Sequence, residues 1–414
     1  MLDYFVSWIW FLLGFRVDDQ LISQAMAKVK ARDDEIRRFK EKYPKPSENT
    51  WSIIASCNSI KKLHEAYALG NVKVTDVVLY YCHKAIEVHG ELNCLTEVMF
   101  EEALARAIEL EAGPVQGKLY GIPVSIKDTV SFKGKDSTVG MLKRVFRPKT
   151  EHSPIVEQLL DSGAIPFVKT NVPQTLMAFE CTNPLWGRTA NPAKPKGYTC
   201  GGSSGGEAAL IASGGSLIGI GSDIGGSLRI PAHFCGISAL KPSVAHVSNA
   251  GSQCYLPATL SVKPVNGPMA KNVEDLILLS EVLLGNQTHD SRVLQIQSHK
   301  SKNKLRFGIA YSNGFVEPTP PVRRALETVR GRLESLGYSV KEFRFPPNIQ
   351  DYISTYYGLA SADGAFHYLK ALESEPIDRI FRPLFLLLKM PKLLRKLILM
   401  ILHCLGTDNR AMSL

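Results

Sequence analysis

Apolar residues recur along this chain at two spacings, one typical of helices and one typical of strands. Spacings of three and four residues predict helices over Ser59–Leu69, Asp76–Ile86 and Ala103–Leu110. Alternation of apolar and other residues over Tyr120–Lys127 predicts a strand that turns three aliphatic side chains to one side. The chain therefore begins its globular part with helices and then enters a sheet.

The two patterns alternate farther along the chain. A helix predicted over Ile155–Leu160 precedes a strand predicted over Ala164–Thr170. Near the other end, the same signals predict a strand, a helix and a strand over Leu305–Tyr311, Val322–Leu336 and Ser339–Phe345. Alternation of this kind favours a mostly parallel or mixed sheet with helices on its faces. We therefore expect an α/β protein built as an αβα sandwich.

An apolar segment at the start of the chain departs from this pattern. Tyr4–Phe15 is twelve residues long, whereas a helix needs about 20 apolar residues to span a bilayer. Trp8 and Trp10 favour an interfacial position. The segment 1–16 is thus predicted to be a membrane anchor that enters one leaflet, with a core helix as the alternative. The charged residues 17–50 predict a solvated helix or linker.

A second unusual segment lies near the end of the chain. Leu384–Leu388 and Leu397–Leu402 flank a proline and four cations: Lys389, Lys392, Arg395 and Lys396. This pattern predicts an amphipathic helix pair at a membrane surface. The alternative is a pair of core helices whose lysines extend to solvent. The predicted organisation is an anchor over 1–16, a charged helix or linker over 17–50, a globular domain over 51–382, the membrane-binding pair over 383–405 and a tail over 406–414.

Charge and cysteine content narrow the classes of partner. The 414 residues include 49 Lys and Arg against 39 Asp and Glu, which gives a net charge of +10. Cations near the apolar ends suit a phospholipid surface better than nucleic acid, so no nucleic acid partner is expected. The eight cysteines are dispersed, without a C-x-x-C pair or a zinc spacing. We expect reduced thiols, no metal and no organic cofactor.

The segment Cys200–Arg229 carries the strongest chemical signal, because glycine and serine make up more than half of it. Within it, Glu207–Ala212 predicts a short helix and Leu217–Ile220 predicts a buried strand. The glycines therefore lie in two tight turns, each beside a regular element. Such turns can direct several backbone N–H groups at an anion or a developing oxyanion.

Two familiar motifs are alternatives for this segment. Gly201–Gly205 fits the G-x-S-x-G nucleophile elbow, which would require a later histidine. The histidines that remain are His299, His367 and His403, and none has a recognisable context. Gly219, Gly221 and Gly225 loosely fit a dinucleotide-binding turn, but the spacing of the third glycine is wrong.

Serine and lysine offer a third chemistry. A serine hydroxyl is a weak nucleophile until a base removes its proton, and a buried, neutral lysine can be that base. Lys127 ends an apolar strand, and Ser203 and Ser227 each lie in a glycine turn. One serine could attack while the other relays protons to Lys127. The alternative for Lys127 is a surface ion pair with Asp128.

These residues resemble the amidase signature family. Gly201–Glu207 and Gly221–Arg229 are similar to its two serine segments, and Gly121–Asp128 is similar to its lysine strand. The resemblance covers roughly residues 50–405. Four further stretches are similar to the fatty acid amide hydrolases within that family: Tyr80–Ala85, Asn171–Gln174, Thr182–Leu185 and Gly267–Ala270.

The resemblance implies a Ser-Ser-Lys triad, in which Ser227 is the nucleophile and Lys127 is the general base. Ser203 would be the bridging serine, joined to Gly202 by a cis peptide bond. Asp223 and Arg229 would support the nucleophile turn. The resemblance also implies that Leu176 contacts the substrate through its backbone and that Ser203 belongs to the substrate-binding residues. It assigns an oxyanion hole to the backbone N–H groups of Ile224, Gly225, Gly226 and Ser227.

The implied activity is hydrolysis of primary fatty amides and N-acylethanolamines by a membrane-associated enzyme. Fatty acid amide hydrolases extend beyond the position of Leu414, so we expect the C-terminal part of the fold to be incomplete. Expected partners are a lipid amide and a membrane surface, and a homodimer is an assembly that the resemblance allows. We expect a location on the cytosolic face of the endoplasmic reticulum or another endomembrane.

Three alternatives to this activity remain. The first is an inactive, truncated protein that binds at membranes. The second is an amidase without membrane affinity. The third is a subunit that acts on amides attached to tRNA, which the positive net charge allows but its distribution disfavours.

Overall fold

The computed structural model describes residues 18–253, 262–285, 305–346 and 349–389, together with Leu393 and Met400. The predicted anchor over 1–16, the tail over 406–414 and most of the predicted pair over 383–405 lie outside these residues. The described chain forms two compact units. The first contains residues 18–253, 263–285 and 366–385, and the second contains most of residues 305–365.

The first unit is organised around a mixed six-stranded sheet. In chain order its strands are β1 (Leu95–Val98), β2 (Pro123–Lys127), β3 (Ile165–Thr170), β4 (Ile218–Asp223), β5 (Ser238–Ala239) and β6 (Val265–Ala270). Their spatial order is β1-β3-β2-β4-β6-β5. The three central strands β3, β2 and β4 are parallel, and β1, β6 and β5 join antiparallel to their neighbours.

Helices of the first unit precede, connect and follow these strands. In chain order they are α1 (Asp19–Lys42), α2 (Glu48–Ser56), α3 (Ile60–Ala68), α4 (Val74–Leu92), α5 (Phe100–Ala112), α6 (Pro154–Asp161), α7 (Gly205–Ala212), α8 (Arg229–Cys235) and α9 (Val273–Gly285). Side chains cap several of them. Asp18 accepts a hydrogen bond from the Gln20 amide at the start of α1, and Ser47 accepts one from Thr50 at the start of α2.

The central sheet is buried on both faces. Every residue of β2 and β3 is buried, and successive side chains of a strand point to opposite faces. Both faces must therefore be covered, so that even the polar side chains of these strands, such as Ser125 and Lys127, are buried. The predicted α/β class and the mixed sheet covered by helices are confirmed.

The second unit contains a smaller sheet. Its strands β7 (Arg306–Ile309) and β8 (Ser339–Glu342) are parallel and are connected through α10 (Pro320–Ser335). This is the strand, helix and strand that the sequence predicts there. The next helix is α11 (Ile349–Ala360), and α12 (Phe366–Ala371) returns to the first unit.

A last described helix, α13 (Arg382–Lys389), covers only the beginning of the segment predicted to bind membranes. In the described part of the chain, no helix is long and apolar enough to cross a bilayer. The charged segment predicted over 17–50 contains the whole of α1, which packs on β1.

Candidate active site

The carboxyl ends of the parallel strands β2 and β4 bring three chain segments together. Lys127 is the last residue of β2, and Asp223 is the last residue of β4. A glycine-rich turn leads from β4 into α8, and a second one leads into α7. Carboxyl ends of parallel strands are common binding sites in α/β proteins, because the loops that follow them meet at one edge.

Lys127 is completely buried at this edge. Its Nζ atom lies 2.8 Å from Ser203 Oγ, 3.0 Å from Ser204 Oγ and 3.0 Å from Ser222 Oγ. The Ser222 carbonyl oxygen is 3.4 Å away. Four neutral oxygens thus surround the amine, and one belongs to the serine that the sequence predicts to relay protons.

The two predicted serines share a cleft. Ser203 and Ser227 both line it, together with Ser222, Ile224 and Leu176. The Ser204 amide donates a 3.1 Å hydrogen bond to the Ser227 carbonyl oxygen, which joins the two glycine turns. The peptide bond between Gly202 and Ser203 is cis, as the resemblance implies.

Asp223 organises the turn that carries Ser227. Its carboxylate accepts hydrogen bonds from the Gly226 amide at 2.8 Å and the Leu228 amide at 3.0 Å. Arg229 donates two further bonds of 3.0 Å. Burial by itself raises the pKa of Asp223, but these four bonds outweigh it, so the pKa is lowered. The carboxylate is thus ionised and holds the turn.

The four residues predicted for an oxyanion hole all lie in this turn, between Asp223 and Leu228. The Gly226 N–H is engaged with Asp223 in this structure. The φ angle of Gly226 is +120°, and a Cβ there would contact Ile230. The backbone conformation therefore favours glycine at this position.

Leu176 lies opposite, in a strained segment. Thr175 and Leu176 have φ angles of 61° and 70°, which place two side-chain-bearing residues in the left-handed region. Thr175 is buried, and both residues line the cleft. Strain of this kind is concentrated at binding sites.

The alternative of a surface ion pair between Lys127 and Asp128 is wrong, because neither residue lies at the surface. Asp128 is fully buried and accepts hydrogen bonds from Thr96 Oγ1 and Thr138 Oγ1 and from the Val139 amide. Successive strand residues point to opposite sides. Lys127 therefore faces the serines while Asp128 anchors a loop.

Three residues at the site escaped the sequence reasoning. Ser204 and Ser222 accept hydrogen bonds from Lys127, and Glu207 is fully buried. Alternation along β4 could have identified Ser222, and the second serine of the run Gly-Gly-Ser-Ser could have identified Ser204. The position of Glu207 gives no such signal, because an acidic residue is favoured in the first turn of any helix.

The histidine-based alternatives find no support in the described residues. His367 lies on α12 and does not line the cleft of Ser203 and Ser227. His299 and His403 lie outside the described residues. A loop rather than a sheet strand precedes Ser203, so the elbow geometry is missing. Within the described ranges, no group of three His, Cys, Asp or Glu could hold a metal.

This chain is similar to proteins of known family. A family model described as Amidase matches residues 76–400. The chain is 36% identical over 376 residues to a vitamin D3 hydroxylase-associated protein of Gallus gallus, which covers 88% of the chain and 79% of the relative. It is 37% identical over 344 residues to the fatty-acid amide hydrolase 1 of Sus scrofa, which covers 81% of the chain but only 58% of that relative.

Solved structures agree with the sequence comparisons. The chain matches the structure of a fatty acid amide hydrolase with a TM-score of 0.78 and 29% identity, over 89% of this chain and 72% of that structure. Against the fatty acid amide hydrolases of Sus scrofa and Caenorhabditis elegans, the chain spans about 58% of their length. The chain belongs to the amidase signature family of amide hydrolases.

Proposed function

We propose that this chain is a membrane-associated serine hydrolase that cleaves fatty acid amides through a Ser-Ser-Lys triad. The observation that carries the proposal is the buried 2.8 Å hydrogen bond between Lys127 Nζ and Ser203 Oγ, in the cleft that Ser227 also lines. A buried lysine in its neutral form can act as the adjacent base that activates a serine.

In the first step, the Ser227 hydroxyl attacks the carbonyl carbon of the amide. Its proton passes to Ser203 Oγ while the Ser203 proton passes to Lys127 Nζ. The carbonyl oxygen becomes an oxyanion beside the backbone N–H groups of the turn between Asp223 and Leu228. Losing one such donor typically costs about 3 kcal/mol of transition-state stabilisation.

In the second step, the carbon–nitrogen bond breaks. The ammonium of Lys127 returns its proton through Ser203 to the leaving nitrogen, which departs as an amine, and an ester remains on Ser227. Water then attacks this ester, with Lys127 again taking a proton through Ser203. The products are a carboxylic acid and an amine or ammonia, and Ser227 regains its proton.

A fatty acyl group is the proposed substrate class, because two of the similar proteins are named fatty acid amide hydrolases. The apolar segment over 1–16 and the basic, apolar segment over 383–405 support membrane association. We place the protein on the cytosolic face of an endomembrane such as the endoplasmic reticulum. Neither nucleic acid nor a cofactor enters the reaction.

A fluorophosphonate probe tests the proposal. The full chain in lipid vesicles should be labelled at Ser227, and Ser227→Ala should abolish labelling. Ser280→Ala, which changes a buried serine of α9, is the matched control and should leave labelling intact. Oleamide and an N-acylethanolamine should compete with the probe, and acetamide should compete poorly.

Two results would redirect the assignment. Labelling of the wild type without competition by either lipid amide would support an amidase of another substrate class. Failure of the wild-type chain to be labelled, together with normal binding to vesicles, would support an inactive membrane-binding protein instead.

A further inference from the structure

The loop that carries Leu176 is joined to a distant part of the chain through one side chain. Gln174, two residues before Leu176, is completely buried. Its Nε2 group donates a 2.8 Å hydrogen bond to the Pro376 carbonyl oxygen, and its Oε1 atom accepts a 2.9 Å bond from the Asp378 amide. Both ends of the side-chain amide are therefore bonded to one short segment, residues 375–378, which we call the connecting segment.

The connecting segment is itself fixed by two other loops of the first unit. Glu375 is buried, and its carboxylate accepts hydrogen bonds from the Leu142 amide at 2.9 Å and the Lys143 amide at 2.7 Å. The carboxylate of Asp378 accepts a 3.0 Å bond from Thr182 Oγ1. Hydrogen bonds to charged groups are stronger than those between neutral groups. The segment that Gln174 contacts therefore has a fixed place of its own.

The conformation of the Leu176 loop needs support from outside the loop. Thr175 and Leu176, with φ angles of 61° and 70°, both lie in the left-handed region. Residues with side chains occupy this region at a cost, and only where surrounding contacts determine their conformation. The backbone of Gln174 donates a 3.0 Å hydrogen bond to the Thr182 carbonyl oxygen, and its side chain bonds to the connecting segment. The loop is thus held from two sides immediately before its two left-handed residues.

The position of this loop bears on the orientation of the substrate. Leu176 lines the same cleft as Ser203 and Ser227. In the proposed reaction a proton passes through Ser203 to the leaving nitrogen, so the amide must lie with its nitrogen turned toward Ser203. If the wall of the cleft that Leu176 forms were displaced, the amide could turn away from this orientation. A misplacement of about 1 Å can cost 100-fold in rate.

We propose that Gln174 is a positioning residue: its two hydrogen bonds to the connecting segment fix the wall of the cleft that Leu176 forms and, through it, the orientation of the substrate amide. The inference rests on the proposed function. Gln174 is not among the described residues that line the cleft, so it acts through Leu176. Its loss should therefore slow the breaking of the carbon–nitrogen bond more than it lowers the reactivity of Ser227.

The test compares two reactions of the full chain in lipid vesicles. Gln174→Leu keeps most of the volume of the side chain and removes both hydrogen bonds. Loss of an amine from an amide requires a proton from Lys127, whereas loss of fluoride from a fluorophosphonate does not. We expect kcat for oleamide hydrolysis to fall by about 10- to 100-fold. The rate of fluorophosphonate labelling at Ser227 should fall by less than about threefold, because the nucleophile and its base are unchanged.

Gln158→Leu is the matched control. The Oε1 atom of Gln158 on α6 has no hydrogen-bond partner among the described residues, so the same substitution there should leave both rates unchanged. Thr182→Val removes the bond from Thr182 to Asp378 and should lower kcat in the same direction by a smaller factor; it decides the question if Gln174→Leu does not fold. Unchanged hydrolysis would overturn the inference. So would a fall of hydrolysis and labelling by the same factor, which is what a loss of folded protein produces.

Hydrogen exchange measured by mass spectrometry tests the same link without a substrate. The Thr175 and Leu176 amides donate hydrogen bonds within the first unit, and the Asp378 amide loses its acceptor in Gln174→Leu. Peptides that contain these amides should exchange about tenfold faster in this variant, as expected for a local loss of stability, and at the wild-type rate in Gln158→Leu. Unchanged exchange at Thr175 and Leu176 refutes the inference. A wild type that hydrolyses no amide, together with the expected exchange in the variant, refutes the proposed hydrolase alone.

Discussion

The turn that carries Ser227 is held by the carboxylate of Asp223. The substitution Asp223→Ala measures how much this carboxylate contributes to stability and to the reactivity of Ser227. The change removes the acceptor of the Gly226 and Leu228 amides and two bonds from Arg229. Hydrogen bonds to a charged group contribute about 1.5–3 kcal/mol each. The Arg229 side chain is 56% exposed, so its ion pair adds at most about 1 kcal/mol.

The two backbone bonds therefore dominate the expected loss. We expect the free energy of unfolding to fall by about 3–5 kcal/mol, less than the sum of the parts because water can reach some of the freed groups. The turn also loses the bonds that fix its conformation. A displacement of about 1 Å at a reacting group can cost 100-fold in rate, so labelling of Ser227 should slow by about that factor.

Urea unfolding and the rate of fluorophosphonate labelling measure the two effects. Arg229→Gln should lower the free energy of unfolding by no more than about 1 kcal/mol, and Asp34→Ala, at a partly exposed pair with Arg37, should change it by less than about 0.5 kcal/mol. If Asp223→Ala unfolded at the wild-type urea concentration and was labelled at the wild-type rate, the carboxylate would not hold the turn.

The Asp223 carboxylate also predicts that the free energy of unfolding depends on pH. The pKa of Asp223 is lower in the folded chain than the ordinary value, which is about 3.9 for an unfolded aspartate. The stabilisation is therefore complete above about pH 4 and is lost as the pH falls through the lower folded-state value. The difference in stability between wild type and Asp223→Ala should close in acid, and a difference that persisted there would contradict this origin.

Two further substitutions test the packing around the site. Gly219→Ala should lower the free energy of unfolding by about 1–3 kcal/mol in urea titrations, because the new methyl group overlaps the buried Glu207 carboxylate. Arg32→Met should lower it by about 1–3 kcal/mol, because the Leu95 carbonyl oxygen at the edge of the sheet loses its 2.8 Å hydrogen bond to a buried guanidinium.

Each of these substitutions has a matched control. Gly90→Ala adds a methyl group inside α4, where nothing lies within 4 Å, and should not destabilise the chain, since alanine favours helices. Arg37→Met removes an arginine of the same helix α1 whose side chain is 66% exposed and should have little effect. If Gly219→Ala and Gly90→Ala lowered the free energy of unfolding equally, the space between Gly219 and the Glu207 carboxylate would not be tightly packed.

The antiparallel strands illustrate what local sequence patterns miss. The sequence predicted β2 from its alternation of apolar and other residues, and β3 and β4 from short apolar runs. It did not predict β1, which is only four residues long, or β6, which contains Gly267 and Pro268. These strands exist because β6 pairs with β4 along its whole length and β1 pairs with β3, and pairing partners distant in the chain leave no local periodicity.

By itself, the sequence determined the α/β class, the two glycine turns and the residue types at Lys127, Ser203 and Ser227. Each follows from local chemistry: hydrophobic period, backbone freedom of glycine, and a serine beside a base. Only the tertiary structure decided that Lys127 is buried among serines and not exposed at the surface. The tertiary structure also buried Glu207 against Ser125 and Thr170 of the sheet. Burial and long-range contacts of this kind arise only when separate strands and helices pack together.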